Sequence, residues 1–221
     1  MYKLVKRSLD FLVSFIVILL LLPFLVPIAI VLKFTAEGEI FYLQHRMGFN
    51  NQKFKIFKFA TMLKDSLNLG TGSITLKGDF RVTRIGKYLR STKINELPQL
   101  YNILKGDISI VGPRPVLEQD WLLYPDNIRV NIYNVKPGLT GIGSIVFRDE
   151  ESIVSNVKDE DPHVYFKRVI APFKGELEMW YQKHRSFSLD FKLIFMTAWV
   201  ILVPSSKLYE KWFKDLPKRN F

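Results

Sequence analysis

Asn95-Glu96, the proline-flanked Arg114 and the cations between Asp79 and Arg90 are the residues of this chain whose types and spacing could do chemistry. Phosphate is their shared target. Arg114 stands between Pro113 and Pro115. Each proline fixes its own φ, and Pro115 also restricts Arg114, so the guanidinium sits on a stiff turn. Held there, it suits two phosphate oxygens at once, or else pairs with a carboxylate as a structural arginine. Glu96 falls in the first turn of a helix, where the dipole favours an anion. It is either an ordinary first-turn charge or a ligand for Mg²⁺, which takes one or two carboxylates together with substrate phosphate. Arg81, Arg84, Lys87 and Arg90 follow Asp79 at near-helical spacing. Such a face grips a diphosphate or meets anionic lipid headgroups.

These side chains need elements to hold them. Asn95 is a good N-cap, Pro98 is tolerated in a first turn, and Leu97, Leu100, Ile103 and Leu104 recur at helical spacing. The pattern predicts a helix opening at Asn95, ending at Lys105 and capped by Gly106. Ile108 to Val111 reads as a short buried strand entering the Gly112-Pro113-Arg114-Pro115 turn, and Pro137-Gly138 as another turn. Lys53 to Phe59 alternates as a strand, with Lys53, Lys55, Phe57 and Phe59 on one face and Phe54, Ile56 and Lys58 on the other. Leu63 to Gly78, with Gly70-Thr71-Gly72-Ser73, reads as a loop, either a mobile lid or an ordinary surface connection, the second being the safer reading. Gly141-Ile142-Gly143 lacks the third glycine of a dinucleotide fingerprint. Asp149-Glu150-Glu151 reads as a solvated acidic loop, and the last third of the chain as helical and basic.

Composition narrows the setting. The 221 residues suffice for one core, and the net charge is +11. Such charge points to anionic lipid, a phosphorylated substrate or nucleic acid. The absence of Cys excludes disulfides, thiol catalysis and Cys-ligated zinc. His45, His163 and His184 lie too far apart for metal-ligand spacing. From Phe11 to Leu32 the chain is uncharged, with Ser14 its one polar residue. As one helix this run reaches about 33 Å, the thickness of a hydrocarbon core. Pro23 and Pro27 interrupt it, and basic residues stand on both sides. The kink and the charges together predict a re-entrant helical hairpin with both ends on the cytoplasmic face, the alternative being a kinked single pass. Phe187 to Pro204 holds Asp190 and Lys192 and reads as an interfacial or core helix. Trp180, Trp199 and Trp212 suit the headgroup level, although Trp199 suits a core equally. The expected fold is helix-rich α+β with a small sheet. Residues 1–35 form the membrane hairpin, and residues 36–221 a catalytic domain with interfacial helices. The apolar run and the lack of a nucleic-acid motif count against nucleic acid as partner.

Several motifs in order resemble the bacterial sugar transferases of the small monotopic phosphoglycosyl transferase family. They are the basic N-terminus with Asp10, the proline-broken apolar run, Gln44-His45-Arg46-Met47-Gly48 and Phe54 to Met62. They continue through Asp79 to Gly86, Glu96-Leu97-Pro98-Gln99-Leu100, Gly112-Pro113-Arg114-Pro115 and Lys136 to Gly141. The resemblance implies a monotopic enzyme at the cytoplasmic face of the bacterial inner membrane. It would transfer a sugar-1-phosphate from a UDP-sugar to polyprenyl (undecaprenyl) phosphate and release UMP, with Mg²⁺. It implies Glu96 as metal ligand and Arg114 as phosphate binder; Lys58, Arg81, Arg84, Arg46 and Arg148 are weaker candidates for the same anion on their charge. Membrane lipids are implied partners, and a homo-oligomer is compatible. In the family an Asp precedes the Glu and attacks the sugar-bearing phosphorus; here that position is Asn95, and an amide is a weak nucleophile. Ala60 replaces a usual basic residue, and residues 142–147 also depart from the family pattern, with Arg148 surviving. Asn95 fits an engineered change, a silent protein that only binds nucleotide-sugar or lipid phosphate, or a natural branch. The accompanying departures favour the branch.

Overall fold

The computed structural model describes residues 2–35, 37–72, 74–157, 159–219 and 221. The expected helix-rich α+β fold with small sheets is borne out. Helix α1 (Tyr2–Lys33) is long and apolar enough to cross a membrane. The expected helical hairpin is not formed: Pro23 and Pro27 lie inside one continuous helix, on its exposed side. A single stripe faces the rest of the protein. Arg7 donates to the carbonyls of Ile103 and Leu104, and Asp10 accepts from Ser109 and Ile110. Val17, Ile18 and Leu21 pack with Leu100, Ile103 and Ile108, while Leu25, Ile28, Ala29 and Leu32 pack with Phe59 and Leu89. These positions recur every three or four residues, as one helix face must. Contacts on both sides of each proline hold the helix through the missing hydrogen bonds.

Strands β1 (Phe41–Met47) and β2 (Lys53–Phe59) form an antiparallel hairpin with Phe41 opposite Phe59 and Tyr42 opposite Lys58. Asn50 and Asn51 turn it at positive φ, which Asn tolerates better than most residues. Helix α2 (Arg84–Ser91) is capped by Thr83, whose side chain accepts from the Gly86 N–H. The next helix starts later than its sequence predicts. Lys93 adopts left-handed φ, Ile94–Glu96 forms a 3₁₀ turn, and α3 spans Gln99–Lys105 with Pro98 as N-cap. Asn95 is therefore buried inside the turn and caps nothing. The stop is as expected, with Gly106 at φ +93.

Strand β3 (Ser109–Val111) pairs in parallel with β4 (Gly138–Thr140) across an excursion holding α4 (Glu118–Trp121) and α5 (Asp126–Arg129). Then come α6 (Ile142–Val146), α7 (Glu150–Ser155) and α8 (Pro162–Tyr165), the last running through a π-helical segment into α9 (Ala171–His184). Helices α10 (Phe187–Leu202) and α11 (Leu208–Trp212) follow. The main core joins Leu177 and Trp180 of α9 to Ile128, Ile142, Ile145 and the Leu193–Met196–Val200 stripe of α10. Trp180 belongs to that core rather than to a membrane interface. The opposite face of α10 exposes Phe191, Phe195 and Leu202, with Trp199 and Trp212 stacked on Phe195.

Two stretches read as loops are held by side-chain bonds. Leu63 to Gly78 is organised around Arg81, whose guanidinium donates to the carbonyls of Ser66, Leu69, Gly72 and Ile74; Ser73 lies outside the described residues. The acidic cluster is paired, while Asp149 and Glu151 stay exposed to solvent as expected. Glu150 meets Lys174 at 2.6 Å, Glu151 meets Arg90 at 2.7 Å, and Asp149 meets Arg219 at 3.4 Å.

Candidate active site

The Gly112–Pro115 turn is the rigid part of the site. Its backbone passes so close to β4 that a Cβ on Gly138 would lie 2.1 Å from the Gly112 nitrogen. Gly138 N–H donates to the Pro113 carbonyl at 2.9 Å. The buried Tyr133 hydroxyl donates to the Arg114 carbonyl at 2.8 Å and accepts from the Val116 N–H at 3.1 Å. The Arg114 N–H donates to Glu178 Oε1 at 3.3 Å. The Arg114 backbone is thus fixed from both sides by residues distant in sequence.

Arg114 Nη2 then donates to Glu96 Oε1 at 2.9 Å, and Lys58 Nζ approaches the same oxygen at 3.5 Å. Burial by itself would raise the Glu96 pKa, but Arg114, Lys58 and Lys93 outweigh it and hold the carboxyl well below the usual range. Lys58 is pushed down to about 7, mainly by burial, with Glu96 opposing and Arg46 and Arg114 adding to the fall. Lys93 is lowered by burial too, with Arg114 and Arg148 adding and Glu96 opposing. Arg46 donates to Gln44 Oε1 at 2.9 and 2.5 Å and reaches the Pro115 carbonyl at 3.4 Å. Beside it opens a cavity of about 460 Å³, within the range that takes a nucleotide-sized ligand.

One carboxylate therefore stands among several cations. Its second oxygen, Oε2, receives no hydrogen bond among the described residues, and the neighbouring Asn95 Oδ1 is buried without a donor. Carboxylate and amide oxygens are of the type Mg²⁺ takes, an ion that keeps waters and completes its shell with substrate phosphate. Among the described residues no three acidic or imidazole side chains gather to form an all-protein metal cage.

The sequence candidates divide on this geometry. Glu96, Asn95, Arg114, Lys58 and Arg46 come together. Arg81 does not join them. It is 1% exposed, its guanidinium is held by Asp79 at 2.5 Å and by a ring of loop carbonyls, and no N–H is left for a ligand. It is a structural residue, because a buried guanidinium must satisfy all its donors. Arg84 is exposed at the start of α2. Arg148 lies at the rim, donating to the Ser91 carbonyl at 3.2 Å while its Nε is buried without a partner. Sequence reasoning missed Lys93, Tyr133 and Glu178. Glu178 is 2% exposed, its Oε2 has no partner, and burial lifts its pKa to about 7. Its Oε1 occupies the space a Cβ on Gly143 would need, 2.3 Å away. The one sequence signal for that fit was the Gly141-Ile142-Gly143 pair of glycines.

A model of the bacterial sugar transferase family matches residues 1–204. The chain belongs to that family. Among curated relatives, a UDP-N-acetylgalactosamine-undecaprenyl-phosphate N-acetylgalactosaminephosphotransferase of Aeromonas hydrophila is 34% identical over 91% of this chain and 44% of its own length. An undecaprenyl-phosphate glucose phosphotransferase of Komagataeibacter xylinus is 36% identical over 87% of this chain and 35% of its own. The exopolysaccharide production protein ExoY of Rhizobium meliloti (strain 1021) is 36% identical over 72% of this chain and 76% of its own. The chain thus spans less than half the length of the first two relatives. The family expected from the motifs is the family found.

Proposed function

We propose that this chain transfers a sugar-1-phosphate from a UDP-sugar to polyprenyl phosphate, giving a polyprenyl-diphosphate sugar and UMP at a membrane surface. The observation that carries the reading is the Glu96–Arg114–Lys58 cluster on its proline-clamped turn. Two of the three relatives carry undecaprenyl phosphate in their names, which supports it as acceptor. Arg114, with Lys58, Lys93 and Arg46 around it, neutralises the diphosphate of the donor. In a buried setting such fixed charges act more strongly than in water. The cavity beside Arg46 takes the nucleoside end. Glu96 and Asn95 would hold Mg²⁺ through Oε2 and Oδ1; bound there, the ion would neutralise further charge on the diphosphate.

Asn95 supplies no carboxylate nucleophile. The acceptor's phosphate oxygen attacks the sugar-bearing phosphorus directly, the phosphoanhydride bond to UMP breaks, and UMP leaves with the electron pair. Both substrates must then be bound together. UMP release measured across UDP-sugars should require polyprenyl phosphate, show no covalent phosphosugar adduct by intact mass, and fall by two to three orders of magnitude in Glu96→Gln, on the order of one lost transition-state contact. No UMP from any UDP-sugar, with ligand binding retained, overturns transfer. An adduct overturns the direct route.

The reading includes a same-face placement of α1 in the bacterial inner membrane, with the basic domain in the cytoplasm. The packed stripe from Tyr2 to Leu32 supports it, since a helix crossing away from the domain would leave its middle residues unpacked. The chain has no Cys, so single cysteines at Lys3 and Thr35 give clean labels. Both should react from the cytoplasmic side; opposite-side labelling rejects the placement.

A further inference from the structure

At the N-terminal end of α1 lies a second cavity of about 140 Å³ that shares no residue with the Glu96 cluster. It has room for roughly four or five water molecules. Its walls carry Lys3, Lys6 and Arg7 of α1, Lys136 before β4, and Arg185 at the end of α9. The carboxylates near them are already committed. Asp190 accepts from Lys6 at 2.7 Å and from Tyr2 and Tyr181 at 2.8 Å each. Asp10 accepts from Ser109 at 2.6 Å and from the Ile110 N–H at 3.2 Å.

Arg7 and Lys136 converge: their nitrogens lie 3.1 and 3.3 Å from where a Cβ on Gly106 would sit. They are held there by the C-terminal carbonyls of α3, from Ile103, Leu104 and Gly106, and a helix C-terminus offers only about half a negative charge. The crowding is felt, since burial and then Arg7 lower the Lys136 pKa. Lys3 and Arg185 are exposed and have no ion pair among the described residues. Positive charge is in excess here, with Lys3, Lys6, Arg7, Lys136 and Arg185 set against Asp10, Asp107 and Asp190.

The position of the cavity bears on its ligand. Helices α1 and α10 begin beside it, joined by the Tyr2 and Phe187 rings at 4.9 Å and by the bonds to Asp190. From that junction their exposed apolar faces leave, Phe11, Phe15 and Leu20 on one, Phe191, Phe195 and Leu202 on the other. On the reading that these faces lie in a bilayer, the junction falls at headgroup level, where anionic phosphate is abundant. We infer that this cavity holds the phosphodiester of an anionic phospholipid, at a site separate from Glu96 and Arg114. The lipid completes the charge of the junction and ties α1 and α10 to one membrane surface.

The full chain, purified in detergent, is titrated with phosphatidylglycerol and with phosphatidylcholine and read by native mass spectrometry. One phosphatidylglycerol should be retained at least tenfold more tightly than phosphatidylcholine. The double variant Lys3→Glu, Arg185→Glu should lose about tenfold or more of that retention, the order expected for removing two basic contacts to an anionic headgroup. Its UMP release in detergent should stay within about twofold of the parent, because neither residue touches the Glu96 cluster. Lys3→Gln, Arg185→Gln replaces it if the charge reversal unfolds the protein. Equal retention of both lipids, or undiminished phosphatidylglycerol binding by the variant, overturns the site. Displacement of the lipid by millimolar inorganic phosphate marks a free-phosphate site and likewise overturns the lipid assignment. The lipid result is read by mass alone, so a chain that releases no UMP fails the transfer reading without touching this one.

Discussion

Glu96 keeps its charge because the cations around it outweigh its burial, whereas at Glu178 burial wins and raises the carboxyl to about 7. The two carboxyls therefore pull stability in opposite directions with pH. Glu96 has a folded pKa below its unfolded one, so the stability it contributes is present above the usual carboxylate range and is lost as pH falls through its folded value. Glu178 is the reverse. Its folded pKa is about 7 against an ordinary 4.5, so the unfolded chain ionises first and stability drops as pH rises between those values. Arg114, Lys174 and the Arg114 N–H oppose the shift, and burial wins. In Glu178→Gln the fall in denaturant midpoint between those two pH values should flatten. An unchanged slope would place the Glu178 carboxyl in water. At the same scale, Arg114→Lys keeps the charge but loses the planar fork, and should cost activity about tenfold to a hundredfold while leaving the melting temperature nearly unmoved.

The elements around the site work as clamps, and their failures should be graded. Gly138 sits where β4 touches the Arg114 turn, and a methyl there would meet backbone atoms that cannot yield. Gly138→Ala should destabilise by roughly 3 kcal/mol or more and abolish transfer with it. Tyr133→Phe removes one hydroxyl that serves both Arg114 and Val116. It should cost about 1–3 kcal/mol by denaturation, the range for leaving buried partners unsatisfied. Its kcat should fall further than that stability loss alone explains. Arg81→Lys offers three donors to a cage built for five, and should destabilise by roughly 3 kcal/mol through an unsatisfied loop rather than through lost phosphate binding. A pure rise in KM for the UDP-sugar, with stability intact, would return Arg81 to the substrate.

For the whole molecule, α1 is both a membrane-directed surface and a wall of the folded domain. Its two faces should respond differently to one change. Leu32 is 1% exposed and packs with Phe59 and Leu89 beside the Glu96 turn, so Leu32→Asp should lower the melting temperature in detergent sharply. Leu20 is 68% exposed, so Leu20→Asp should leave that temperature unchanged and reduce the membrane-bound fraction in cells. Equal effects of the two changes would mean that α1 does not pack on the domain as described.

The sequence by itself determined the local features. The strand from Lys53 to Phe59, the Gly106 stop, the stiff Arg114 turn and the apolar run all follow from side-chain period, fixed proline φ and the freedom of glycine, which act over a few residues. Family membership was legible for the same reason, in short ordered motifs. Tertiary structure alone decided which cations share Glu96, because Lys58, Lys93, Arg46 and Arg114 come from four separate stretches and meet only when β2, the 3₁₀ turn and the β3–β4 pair pack. It also took Arg81 away from the site. Nothing in Asp79-Phe80-Arg81 distinguishes a guanidinium that grips phosphate from one that gathers loop carbonyls; burial makes that choice, and burial is a property of the assembled chain. Glu178 and Tyr133 were invisible for the same reason, since each acts on a backbone group tens of residues away that only the fold brings within reach.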